Sequence, residues 1–62
     1  MLYFYCIENE KGKTSGIALY NEKISTIEDG DKFIDFIYSE TKKLYGDKFT
    51  RENSIIVSIS KL

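Results

Sequence analysis

Asn9-Glu-Lys-Gly-Lys-Thr-Ser-Gly16 is the stretch whose reading decides how this chain folds. Gly12-Lys13-Thr14 is how a nucleotide-binding P-loop ends, and a P-loop would make the chain a phosphate-binding α/β unit. That loop has the form G-x-x-x-x-G-K-[ST], because glycines at both ends let successive backbone N–H groups turn toward phosphate. The position five before Gly12 is Ile7, so the first glycine is missing. After Ser15 comes Gly16-Ile17-Ala18-Leu19-Tyr20, an apolar, strand-like run that opens no helix whose dipole could hold an anion. The stretch reads instead as the polar, glycine-bearing loop of a β-hairpin, long enough to protrude.

The flanking residues supply the strands. Residues 2–8 are rich in aromatic and β-branched residues, too short and too uniformly apolar for a surface helix, and read as a strand. Alternation sends Leu2, Phe4 and Cys6 to one face and Tyr3, Tyr5 and Ile7 to the other. The second strand is expected over residues 17–22. A helix then starts at Ser25-Thr-Ile-Glu28, which matches the S-x-x-E capping box, with Glu28, Asp29 and Asp31 favouring the positive dipole end. Lys42 and Lys43 suit the last turns and Gly46 the C-terminal stop, which predicts a helix over residues 26–45, although Gly30 weakens its first turn. Helical spacing gives an apolar arc of Phe33, Leu44, Ile37, Ile34, Ile27, Tyr45 and Tyr38. Phe36 falls outside it, among Lys32, Lys43 and Asp29, and is predicted to be exposed. In residues 54–60, Ile55, Val57 and Ile59 alternate with Ser58 and Ser60, as in a strand with one buried face.

A ββαβ order with a leading hairpin leaves few topologies. A right-handed crossover brings the third strand beside the first, giving a single α+β domain over residues 1–62: a three-stranded antiparallel sheet of order 2-1-3 with one helix on one face. One helix covers one face, so the other is expected to carry an aromatic patch.

Composition narrows the function. A chain of 62 residues buries only about 60% of its unfolded surface, and such domains lean on disulfides, a metal or a partner chain. With one cysteine and no histidine, a monomer has no disulfide, no Cys/His zinc quartet and no Cys–His or Ser–His pair for nucleophilic catalysis. A partner chain is the remaining stabiliser. Cys6, in an apolar run, reads as a small core residue in a reducing compartment. Met1 leads directly into Leu2-Tyr3-Phe4-Tyr5 with no basic n-region and no spanning apolar stretch, so neither a signal peptide nor a membrane helix is expected and the location is taken as cytoplasmic. The net charge of −1 is unevenly laid out: residues 1–40 hold four lysines and eight acids, residues 41–62 five basic residues and two acids.

The acids Glu28, Asp29, Asp31 and Asp35 invite a metal reading, but they lack the Asp-x-Asp-x-Asp-Gly spacing and distal glutamate of a calcium loop, and they suit a solvated helix start. No cofactor, metal or enzymatic activity is expected. Lys42, Lys43, Lys48 and Arg51, with Tyr45 and Phe49 interleaved, could track a nucleic-acid backbone, so a small nucleic-acid-binding regulator is the alternative function. Five tyrosines and four phenylalanines exceed what one small helix–sheet interface buries. The main expectation is therefore a protein-binding module and homodimer, contacting partners through Phe36, Tyr3, Tyr5 and Tyr20, with Lys11 and Lys13 at the hairpin tip as charged contacts and the third strand's edge as another route to pairing.

With Ile24-Ser-Thr-Ile-Glu-Asp29 opening a helix after the hairpin and Ile55-Ile-Val-Ser-Ile-Ser-Lys-Leu62 closing the sheet, the chain resembles the short ββαβ proteins of phages and mobile elements from low-GC bacteria. That resemblance spans nearly the whole sequence and carries over no functional residues. It implies an inhibitor that binds and occludes a host enzyme or defence complex.

Overall fold

The computed structural model describes residues 1–62. Strand β1 (Leu2–Asn9) is followed by β2 (Gly12–Leu19), helix α1 (Ile27–Tyr45), a 3₁₀ turn (Gly46–Lys48) and β3 (Ile55–Lys61). The sheet has the order β2-β1-β3 with both pairs antiparallel, so the small α+β fold is the one the sequence predicts.

The hairpin differs from its sequence reading. Asn9 lies directly opposite Gly12, leaving only Glu10 and Lys11 as a loop, while Lys13 to Gly16 belong to β2. Polar residues there do not mark a loop because β2 is an edge strand: Lys13 and Ser15 point away from the helix and Thr14 and Gly16 toward it. The turn is tied by the Asn9 side-chain oxygen, which accepts from the Lys11 N–H at 2.9 Å. Neither loop residue has a positive φ, so the loop is not one of the primed turns whose twist matches the strands. Gly12, at φ +151°, takes up the mismatch in a conformation that side chains disfavour. Strand β2 also stops at Leu19 rather than Glu22, and Tyr20 turns over the helix.

The core lies between the sheet and α1 and consists of Tyr5, Ile7, Ala18, Phe33, Ile37 and Phe49. Tyr5 is 2% exposed and its ring lies against Gly16, where an added Cβ would meet the Tyr5 hydroxyl oxygen at 2.6 Å. Its hydroxyl lies 3.3 Å from that of Thr41, whose single proton is directed to the Ile37 carbonyl at 2.9 Å. Tyr5 is thus the donor of this buried pair, and neither hydroxyl is left unsatisfied.

Helix α1 starts one residue later than the Ser25–Glu28 box implies. Thr26 is the N-cap: its side chain accepts from the Asp29 N–H at 3.0 Å, and Asp29 accepts in return from the Thr26 and Ser25 N–H groups. A shorter acid at the third helical position does the work assigned to Glu28. The buried line of the helix is Phe33, Ile37 and Thr41, one turn apart. Ile27 is 94% exposed and Leu44 is exposed too, so the buried stripe is narrower than the predicted arc and displaced toward Phe36. Phe36 is half-buried rather than exposed, because Tyr20 covers it with ring centroids 5.0 Å apart.

A bulge reassigns the faces of β3. Cys6 pairs with Ser58 but Ile7 pairs with Ile56, leaving Val57 as the extra residue. Ile56 and Ile59, and not Ile55, Val57 and Ile59, therefore turn toward the helix.

Candidate protein-binding surface

With α1 over one face, register decides what the other displays. Leu2 stands opposite Leu19, Phe4 opposite Ile17, Cys6 opposite Ser15 and Ser58, and Glu8 opposite Lys13 and Ile55. Nothing in the fold covers these side chains: Ile17 is 62% exposed, Leu19 57% and Phe4 38%, with Leu2, Ile55 and Val57 also exposed. The patch is mainly aliphatic, which corrects the expectation of an aromatic one. The tyrosines of β1 went to the helix side, where Tyr3 packs on Phe33 at 4.8 Å between ring centroids. Cys6 likewise is a half-exposed free thiol on the open face rather than a core residue.

The uncovered face is large for the molecule. Side chains of these sizes and exposures present roughly 600 Å² of apolar surface, at the top of the ~300–600 Å² of the largest patch on a typical monomer. The whole chain exposes 4438 Å², against about 4100 Å² expected of a compact monomer of its mass. The face also has relief. Leu2, Phe4, Ile17 and Leu19 form a ridge over β2 and β1, and Ser58 and Ser60 leave a trough along β3. Its one charge pair, Lys13 with Glu8 at 4.0 Å, lies toward the hairpin end.

The residues expected to bind partners fall into four places. Tyr5 is fully inside and has no surface to offer, while Tyr3 and Tyr20 are half-buried against Phe33. Tyr20 and Phe36 form a small aromatic flank beside the helix, and desolvation with the neighbouring Glu22 carboxylate raises the Tyr20 hydroxyl's pKa above its ordinary value. Lys11 is exposed in the turn itself, and Lys13 sits on β2 paired with Glu8. The structure therefore does not gather Phe36, Tyr3, Tyr5, Tyr20, Lys11 and Lys13 onto one surface. What does gather is Leu2, Phe4, Ile17 and Leu19, which alternation identifies once the two-residue turn sets the register.

The basic segment is interleaved with acids. Arg51 bridges Asp31 and Asp35, one turn apart on α1, and these two hydrogen-bonded carboxylates hold its pKa above the ordinary guanidinium value. Lys43 pairs with Glu40 at 2.7 Å and Lys42 with Asp47 at 3.7 Å, and the Lys48 ammonium lies 5.9 Å from the Phe49 ring centroid. Of the acids that invited a metal reading, Asp29 serves the cap and Asp31 and Asp35 serve Arg51. Asp29 is held below its usual carboxylate pKa, chiefly by the Ser25 backbone N–H. Burial raises the Tyr38 hydroxyl's pKa, and that hydroxyl donates to the Ser54 carbonyl at 3.1 Å, fastening the start of β3 to the helix. A second polar tie runs through Asn9, whose amide donates to the Lys48 carbonyl at 2.8 Å.

No helix is long and apolar enough to cross a membrane. In comparisons with known proteins, no family model, no curated protein and no solved structure matches this chain.

Proposed function

We propose that this chain is a non-catalytic protein-binding module that works through the uncovered face of its sheet, serving a phage or mobile element in the bacterial cytoplasm by occluding a surface of a host defence protein. The observation that carries the binding reading is the open face itself: a contiguous apolar surface on the central and edge strands that no part of the fold covers. The inhibitory role is supported by the ββαβ resemblance. Lys11 at the turn and the Tyr20–Phe36 flank are secondary contacts around the same molecule.

The test is phage plating on bacteria carrying individual defence systems, with and without this protein expressed. The wild type restores plating against at least one system, and the double variant Phe4→Asp/Ile17→Asp, folded by circular dichroism, does not. Full restoration by the folded double variant, or no restoration by the wild type on any system, overturns the proposal.

A further inference from the structure

We infer that the open sheet face is closed, in the free protein, by a second copy of this chain, in a face-to-face dimer whose two-fold axis runs along β1. The inference rests on reading that face as a protein-binding surface and names its resting occupant, so a target and the second copy compete for it.

Area is the first argument. Each copy offers roughly 600 Å² of apolar face, which reaches the lower end of the ~600–1,000 Å² per partner of a standard stable interface. Need is the second. Only 8 of 62 residues are buried and the single cysteine excludes an internal disulfide, so the monomer has a thin core for its length. Covering the face turns a two-layer molecule into a four-layer one, helix–sheet–sheet–helix, with the apolar side chains in the middle.

Shape favours this partner over the alternatives. A two-fold axis along β1 lays β2 of each copy over β3 of the other, so Ile17 of each copy meets Ser60 of the other, a large side chain on a small one, twice. The same operation sets apolar end on apolar end and brings the two Glu8 residues together at the hairpin end, each beside its own Lys13. Edge-to-edge pairing would instead join two sheets side by side and double the uncovered patch, and the bulge at Val57 disrupts the outer edge of β3.

Cys6, on the central strand of the open face, is a built-in reporter, because the dimer buries a thiol that the monomer leaves half-exposed. The experiment measures solution mass by sedimentation together with the rate of Cys6 alkylation by a maleimide, across a dilution series. Wild type is expected at twice the 7.2 kDa chain mass in the tens of micromolar, roughly the weak end for an interface of this size. Its Cys6 alkylation then slows by about tenfold or more between dilute and concentrated samples, as the free-monomer fraction falls. Ile17→Lys removes the ridge, and Ser58→Arg fills the trough while leaving all the apolar area in place. Each should give a folded monomer with rapid, concentration-independent alkylation, and Ser58→Arg carries the test if Ile17→Lys does not fold.

A wild type that stays monomeric at about 100 µM, where an interface of this class is populated, overturns the inference. So does a dimer whose Cys6 reacts as fast as in the variants, since its interface lies elsewhere, and so does open-ended growth in mass. A monomer that still restores phage plating would sink the dimer and leave the inhibitor standing, whereas a face-to-face dimer inactive in plating would do the reverse.

Discussion

Phe4 and Tyr5 are neighbours in the chain, both aromatic, on the same central strand, and their surroundings are opposite. Tyr5 lies under α1 at 2% exposure with its hydroxyl paired, and Phe4 stands on the far face at 38% with nothing above it. The two faces of β1 start from similar hydrophobicity, so burial here is decided by the number of layers the chain can build. The covered face is specified in detail: Gly16 gives way to the Tyr5 ring, and Thr41 satisfies its hydroxyl. The open face has ridges and a trough but no internal partner.

That contrast can be broken from either side. Ile37→Ala on the covered face leaves a cavity at a fully buried position and should cost about 2–5 kcal/mol, comparable to the whole stability of a domain this size. Urea titration followed by circular dichroism should show a largely unfolded variant at 25 °C, and near-wild-type stability would mean the core lies elsewhere. Gly16→Ala forces a Cβ into the Tyr5 ring and is expected to lose about 1–3 kcal/mol in the same titration, without disturbing the open face. Thr26→Ala removes the N-cap and should lose about 1 kcal/mol, equally at low and high protein concentration, because the cap touches neither face.

Ile17→Ser is the sharpest comparison. At high dilution its stability should stay within about 0.5 kcal/mol of wild type, since an exposed side chain is being replaced. As concentration rises the two should diverge by mass action if the face has an occupant. The smallest effect concerns pH. The folded-state pKa of Asp29 lies below its unfolded value, so its contribution is fully present above the ordinary carboxylate pKa of about 4 and is lost as pH falls through the folded value. Asp29→Asn should flatten that part of the acid unfolding profile, and an unchanged profile would remove the cap from the account.

Much of the fold was legible because several local signals agreed. The alternation of residues 2–7, the cap and stop signals of α1 and the short-connection rules together give the sheet order. The misreadings share one cause, which is that polar and apolar labels do not report which neighbour a residue meets. Lys13 and Ser15 read as loop because an edge strand needs no apolar residues on its outer positions, and Thr14 because an edge strand also tolerates a half-buried polar residue on its inner side. Val57 read as inward because a bulge inserts one residue and reverses the alternation behind it. Phe36 read as exposed because its cover, Tyr20, comes from a strand expected to run past it. The open face was anticipated as a place, but its composition was not, since that depends on which side of β1 the helix selects and only register settles it.

The two-residue turn also has a consequence in time. Strand β1 meets β2 across Glu10 and Lys11 but can pair with β3 only after the intervening turn, strand and helix are gathered in, since Cys6 lies beside Ser58. Local closure is fast and long closure slow, so the hairpin assembles early and β1 waits with one side unpaired until β3 arrives. Substitutions at Gly12 should then slow refolding, whereas substitutions at Ile59 should chiefly speed unfolding, and the two arms of a chevron plot would separate these effects. The order of assembly is thus written into which neighbour of the central strand lies near in the chain and which lies far.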